Sequence, residues 1–565
     1  MRLRYNIHPH ELKRRLTVKN CLIINFFWLL VALIIPNIVL GFTEHLPPLC
    51  FAANILLPLG LYWVANSSST RPIFPTLVLF PFMFLAAFQL VLLSLYGKGI
   101  IAVDMFLNVV TTNYTEATEL LSSLPWAIAL IIVLYIPPIV TAVIASIKKY
   151  KLRVGFIHNN FIVGWLIVLI GAGLFGTSFL TNQRIALYND IFPLNVCYNL
   201  AVAVRRDIHV KRYAENPPIY KFFPVTSRPD SIPELYVLII GETSRADNWE
   251  MFGYKRPTNP RLRDRSGIVG FGRAMSESNT THKSVPMLLT HLNSDNYADS
   301  LRHVRSIISA FKEAGYTTSM ISNQEHNGSF IDFFAKEADS CLFIKDIPKK
   351  IRKTSYDGEL IPYIRRDIAS GGKKHLLVVH TYGSHFKYND RYPDSMAVFR
   401  PHEPLDANYQ LRPELINAYD NTIVYTSKLL DSIAGIMEGS GRVAAMIYTS
   451  DHGEDIYDDE ERRFLHASPT PTYWQLHVPL LIWFSPQYIS HYPEKVAAAR
   501  ANSGKQVSST SSFFPTAMDI SGITTFAADS TKSLTGKGYT PGKAMYLTDR
   551  EEAVGIEKYG IKLPK

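Results

Sequence analysis

Cysteine is scarce: Cys21, Cys50, Cys197 and Cys341 are the only four in 565 residues. No Cys-x-x-Cys occurs, which excludes a thiolate zinc centre. Only Cys341 lies in the polar second half, so no disulfide framework can form inside it, although a Cys197–Cys341 bridge stays open. Basic residues are equally scarce between 21 and 147, where only Arg71 and Lys98 occur. Internal repeats and low-complexity tracts are missing too. The net charge of +10 is modest for this length, and no nucleic-acid partner is expected.

What fills the basic-poor region is apolar. Five runs, roughly 21–42, 50–65, 73–96, 126–147 and 158–180, mostly approach the ~20 residues that cross a bilayer. Asn54 and Pro58 interrupt the second and blur its ends. No signal-peptide cleavage pattern follows the first run, so it is expected to be retained. Arg2, Arg4, Lys13, Arg14, Arg15 and Lys19 precede the runs, and Lys148, Lys149, Lys151 and Arg153 fill the fourth loop. Positive charge stays cytoplasmic, so five crossings place everything after residue 180 outside. In a bacterial inner membrane that is the periplasm. The external third loop carries Asn108, Thr112 and Glu116 at helical spacing. On one helix face they form either a solvated stripe or a binding face.

Residues 181–233 read as a bridge. Arg205, Arg206, Lys211 and Arg212 alternate with Val202, Val204, Ile208 and Val210, which suits a helix on a membrane surface or a plain surface helix. Pro217, Pro218, Pro224, Pro229 and Pro233 then mark an extended linker. From 234 to 565, short β-branched runs alternate with helical patterns over 301–314, 413–437 and 509–521. That argues for an α/β domain with a mostly parallel sheet. Three runs end in polar residues: Tyr236–Ile240 in Gly241-Glu242, Leu376–His380 in Gly383-Ser384-His385, and Val443–Thr449 in Ser450-Asp451-His452-Gly453-Glu454. Thr317–Ile321 and Val478–Trp483 read as further strands. Open α/β sheets place chemistry at strand carboxyl ends. Carboxylates with imidazole suit zinc or a similar divalent ion.

Between the first two of these lies Ser278-Asn279-Thr280-Thr281-His282-Lys283-Ser284-Val285-Pro286, polar at its start and helical after it. A hydroxyl there either caps a helix or, beside a metal, ionises and serves as nucleophile.

Five spans, the proline-marked bridge, Gly241-Glu242-Thr243-Ser244-Arg245-Ala246, Asn279–Pro286 and Ser450–Glu454 together resemble the phosphoethanolamine transferases. These are bacterial inner-membrane enzymes of the alkaline phosphatase/sulfatase superfamily. Gly253–Pro260 and Asn417-Ala418-Tyr419-Asp420-Asn421 are similar to the family as well. The resemblance implies a zinc-dependent phosphotransferase with one or two zinc ions. It implies Thr281, three positions before Ser284-Val285-Pro286, as nucleophile and metal ligand, with Glu242, Asp451 and His452 as the other ligands. Asn108, Thr112, Glu116, His385 and His466 match substrate-binding positions. His477 is a second candidate for the last of these, with a spacing that departs from the pattern.

The implied reaction has two displacements at phosphorus. Thr281 takes phosphoethanolamine from phosphatidylethanolamine in the membrane and passes it to lipopolysaccharide, on a core sugar or lipid A. Members acting on lipid A usually carry several disulfides, and this chain lacks them. It is closest in look to the core-heptose type. Periplasmic glucans are another acceptor class, and a glycerol-phosphate transferase of lipoteichoic-acid type is the alternative enzyme.

Overall fold

The computed structural model describes residues 9–111, 118, 120–181, 185–298, 300–348, 356–404 and 407–564, with side chains described from Thr17 onward. The chain divides into two compact units. One takes in the chain up to Phe106 with Leu124–Ala203, the other Leu107–Ser123 with Val204–Lys565.

The first unit is helical. Its helices α1 (Pro9–Thr43), α2 (Pro48–Asn66), α3 (Ile73–Tyr96), α5 (Pro125–Ile147) and α6 (Val154–Ser178) include five stretches long and apolar enough to cross a membrane. Helix α4 (Val103–Thr111) lies between α3 and α5. Lipid tails give apolar helices no reason to prefer one another, so packing must come from close approach and internal hydrogen bonds. Both are present. A Cβ on Gly60 would stand 2.6 Å from Val168 N, and one on Gly171 would stand 2.8 Å from Leu57 N, so α2 and α6 touch backbone to backbone. Asn37 Nδ2 donates to Asn54 O (2.7 Å) and Phe192 O (2.7 Å), while Asn54 Oδ1 accepts from Phe192 N (2.9 Å). These buried hydrogen bonds knot α1, α2 and the segment after α6.

The second unit is built on seven strands: β1 (Glu234–Gly241), β2 (Ile268–Gly270), β3 (Thr317–Ser322), β4 (Ser340–Phe343), β5 (Lys374–His380), β6 (Val443–Ser450) and β7 (Leu480–Phe484). Their order is β2-β7-β6-β1-β5-β3-β4. All neighbours run parallel except β7, which is antiparallel to both β6 and β2. Tyr236, Leu238 and Ile240 join Leu376, Val378, Ala445 and Ile447 on one face, against Phe311 and Phe514 of two covering helices. Val237, Ile239, Leu377, Val379 and Met446 are equally buried, so both faces are covered. This is why the strands read as unbroken apolar runs. Helix α9 (Arg412–Gly439) packs against β6.

Two expectations need correction. The helical pattern over 301–314 is broken, with a 3-10 turn at Leu301–His303 and a helix over Ile307–Glu313. Ser306 accepts from Ile308 N and starts the helix there. The strand expected over 478–483 begins only at Leu480. All four cysteines are free, so Cys197 and Cys341 do not pair. Within the bridge, α7 (Leu194–Glu215) is followed by an extended stretch in which Val225–Thr226 pairs with Ile523–Thr524.

The close approach of α2 and α6 can be tested in detergent. Gly171→Val should lower the melting temperature by an overpacking cost of ~1–3 kcal/mol. Gly173→Ala, where a Cβ meets nothing within 4 Å, should be nearly neutral.

Candidate metal and nucleophile site

Strand register decides what meets at the rim. Ile240 lies level with His380 on β5 and Thr449 on β6, and Gly241 with Ser450. The residues just beyond are therefore neighbours: Glu242, the turn Gly383-Ser384-His385, and Asp451-His452. Glu242, Asp451 and His452 each aim one ligand atom into a common spot, all within 4.8 Å of one another. All three are at most 2% exposed.

Thr281 completes the group. Helix α8 (Thr281–Leu289) begins at this residue. Its hydroxyl lies 3.1 Å from His452 Nε2 and 3.3 Å from each Glu242 carboxylate oxygen. The adjacent Thr280 points elsewhere. It occupies the N-cap position without capping, and its hydroxyl lies 3.1 Å from Ser278 Oγ. The Thr280 side chain is buried and makes no cap hydrogen bond.

Imidazole protonation follows from the partners. His452 Nδ1 stands 2.9 Å from Gly453 O, which can only accept, so Nδ1 carries the proton and Nε2 offers its lone pair. Burial holds the His452 pKa well below the ordinary value. Asp451 is pushed the other way, to about 6, because burial penalises its charge. Thr243 N (3.2 Å) and His452 N (2.7 Å) both donate to Asp451 Oδ1, while Oδ2 is buried without a partner. Two buried carboxylates, a lone-pair nitrogen and an orphaned oxygen fit a divalent cation, which would supply the missing positive charge.

The supporting residues explain the flanking motifs. Thr243 has φ 59°, unusual for a β-branched residue, and its hydroxyl donates to Glu242 Oε1 (2.7 Å). Gly383 lies beside it, and a Cβ there would stand 2.5 Å from Glu242 O. Tyr419 OH links Arg245 N and Thr243 O, both at 2.8 Å. Buried Arg245 pairs with Asp458 (2.5 Å), which also holds Arg412 (2.8 Å). Asp420 gathers Asn248, Tyr254 and Arg256. The motifs at 253–260 and 417–421 are thus scaffolding for the turn after β1.

His466 lies against the site, its ring 4.3 Å from that of His452 and 6.1 Å from that of His385. His477 is committed elsewhere, to Asp247 (2.8 Å) and Gly272 O (2.9 Å). His385 stacks on Tyr382, and its Nδ1 lies 2.7 Å from Phe386 O, which leaves Nε2 as a lone pair. Burial and the nearby Arg391 keep its pKa well below the ordinary value. Asn108 Oδ1 lies 3.2 Å from His282 Nδ1, next to Thr281 in the chain. Thr112 and Glu116 lie outside the described residues. Asn279 was given no role of its own in the sequence, yet it joins two site segments. Its Nδ2 donates to Ser468 O (3.0 Å) and its carbonyl accepts from Ala467 N (3.2 Å), beside His466. A lone Asn in a polar run gives no signal of that role. A second Asp-His-Glu trio, Asp394, His402 and Glu403, already carries Arg400 on Asp394 Oδ1, at 2.7 Å.

Residues 234–523 match the family model described as Sulfatase, just over half of the chain. The chain belongs to the Sulfatase family. Several of the proteins it is similar to are named phosphoethanolamine transferases. It is 29% identical over 277 residues to the Kdo(2)-lipid A phosphoethanolamine 7''-transferase of Salmonella typhimurium, covering 48% of each chain. The aligned stretch spans about half the length of the curated relatives it first matches, 53% of one and 48% of another. Among solved structures, the integral membrane protein lipooligosaccharide phosphoethanolamine transferase A (EptA) of Neisseria meningitidis shares the fold at a TM-score of 0.71 and 20% identity. That match covers 90% of this chain and 97% of the other. The C-terminal periplasmic domain of EcEptC from Escherichia coli, complexed with Zn, shares it at 0.54 and 22% identity, over 60% of this chain and 96% of that one. The architecture expected from sequence, five helices long and apolar enough to cross a membrane with a sulfatase-like, mostly parallel sheet, is therefore the observed one.

The donor set predicts a metal-dependent rise in stability. Metal-stripped protein should gain about 3 kcal/mol at a hundredfold excess of a divalent ion over its Kd, read as a higher melting temperature. Asp451→Ala should abolish that gain.

Proposed function

We propose that the protein transfers phosphoethanolamine from phosphatidylethanolamine to lipopolysaccharide, on a core sugar or lipid A, through a covalent phospho-threonine at Thr281. The observation that carries this reading is the Thr281 hydroxyl facing Glu242, Asp451 and His452 at the start of a helix. The names of the relatives support the transferred group and the acceptor class. Glu242, Asp451, His452 and Thr281 hold zinc in this reading, and the zinc complex of the EcEptC domain supports that choice of metal. Bound there, zinc would supply the positive charge that stabilises an alkoxide on Thr281.

The rest is done by the chain itself. Both Glu242 carboxylate oxygens face the Thr281 hydroxyl, and the one not engaged with the metal can take its proton. The threonine oxygen attacks phosphorus, the phosphorus–oxygen bond to diacylglycerol breaks, and the departing oxygen takes a proton. Phosphoethanolamine is left as an ester on Thr281. An acceptor hydroxyl then attacks the same phosphorus and releases the threonine, a ping-pong scheme. His385 and His466 line the acceptor side, where a neutral imidazole can take the acceptor's proton. Asn108, Thr112 and Glu116 bind the donor headgroup, with the Glu116 carboxylate paired to its ammonium. The catalytic unit from residue 234 onward faces the periplasm, reached through the bridge at 181–233.

Three experiments test this reading. Peptide mapping after incubation with the donor lipid should find the adduct on Thr281. Thr281→Ala should abolish both adduct and transfer, whereas Thr280→Ala should cost only the hydrogen bond to Ser278, ~1 kcal/mol of stability. An adduct on Thr280, or full turnover in Thr281→Ala, would sink the assignment. Glycerol-phosphate transfer in place of phosphoethanolamine, with the two lipids compared side by side, would select the lipoteichoic-acid-type alternative. A phosphatase reporter fused after residue 230 should be active. Activity of a cytoplasmic reporter there would reverse the topology.

A further inference from the structure

The Sulfatase match ends at residue 523, and a later hairpin closes back onto the nucleophile turn. Its strands β8 (Met545–Leu547) and β9 (Ala553–Gly555) pair antiparallel. Tyr546 and Ile556 pack with Met275 and Leu476 in a small core of their own. Three donors tie the hairpin to residues 277–283. Leu547 N donates to Glu277 O (2.7 Å), Tyr546 OH donates to Asn279 Oδ1 (2.9 Å), and Lys283 Nζ donates to Leu547 O (2.9 Å) and Thr548 O (3.1 Å).

Two of these bonds involve groups that are expensive to bury. Lys283 is 2% exposed, and an apolar side chain of its size would fill the space at lower cost. What the ammonium adds is direction: it fixes the hairpin turn against the residue two places after Thr281. Tyr546 orients the Asn279 amide. With Oδ1 taken by the phenol, Nδ2 faces Ser468 O and Gln475 Oε1 (2.7 Å). Asn279 thereby links the Thr281 turn to the loop that carries His466. At its far end the hairpin is held by Arg206 of α7. Arg206 Nη1 donates to Asp549 O (2.6 Å) and its Nε lies 3.2 Å from Glu551 Oε1.

We propose that the hairpin Met545–Gly555 is a positioning element for the nucleophile. Tyr546 and Lys283 set the Thr281 turn, and Arg206 holds the hairpin in place from the bridging helix. Arg206 and the hairpin lie on either side of the segment matched by the Sulfatase model, so this is an addition to the family core. The inference rests on the reading of Thr281 as nucleophile.

The test uses the full chain in detergent, with Tyr546→Phe, Arg206→Gln and the double variant. Lys283→Met is set aside as the variant most prone to misfold. Amide hydrogen exchange across 276–289 should speed up about fivefold in each single variant, the factor that one net hydrogen bond represents. With phosphatidylethanolamine in mixed micelles, kcat should fall about tenfold while KM and bound zinc stay unchanged. The double variant should be no slower than the worse single variant, because both act through one relay. Unchanged exchange in Tyr546→Phe overturns the proposal. So does faster exchange with undiminished kcat, or single-variant losses that multiply in the double. A wild-type chain that transfers no phosphoethanolamine would overturn the proposed function instead, and the exchange measurement would still decide whether the hairpin braces the turn.

Discussion

The second unit is organised around an electrostatic demand. Glu242 and Asp451 are brought together out of water beside an imidazole that offers a lone pair, not a proton. Their like charges are held by the sheet. Because β1, β5 and β6 end level with one another, the residues after each strand must share one spot. A slip by one residue would turn Glu242 away and leave the spot without its second carboxylate. The backbone ladder, repeated over seven or eight residues per strand, is what opposes the repulsion.

Much of the surrounding polar structure serves that placement. Thr243 accepts a strained backbone so that its N–H and hydroxyl reach both carboxylates. Tyr419 ties the same turn from α9, and the Arg245–Asp458–Arg412 group anchors the chain on either side of it. Breaking one partner of such a buried group leaves a charge uncompensated, which costs several kcal/mol. Asn279 and the C-terminal hairpin provide the corresponding frame for Thr281 and His466. The first unit meets a different constraint. Its helices lack a hydrophobic reason to associate, so glycine contacts and amide pairs hold them.

The proposed chemistry follows from this division of labour. A threonine hydroxyl is a poor nucleophile in water. Placed between a carboxylate and an imidazole lone pair, at a helix start and beside a metal, it becomes a workable one. The neighbouring His385 is kept neutral by burial and by the nearby Arg391, which suits a group that accepts a proton from an incoming hydroxyl.

Local physics wrote much of this plainly in the sequence. Apolar runs of bilayer length announced the membrane helices, and β-branched runs ending in acids and histidines announced the central strands, because burial on both faces leaves no alternation. The candidate ligand residues Glu242, Asp451 and His452 were legible for the same reason, being the acids and the imidazole at the ends of such runs. Tertiary structure decided what local pattern cannot encode. Helix direction turns Thr281 toward the carboxylates and Thr280 toward Ser278, although the two residues are chemically identical. His466 was separated from His477 only by the fold, through the ring contact with His452 in one case and the bonds to Asp247 and Gly272 in the other. Asn279, Tyr546 and Lys283 gave no signal, because their partners lie between 189 and 267 residues away along the chain. Periodicity reports which face of an element is buried, and it carries nothing about which distant segment will cover that face.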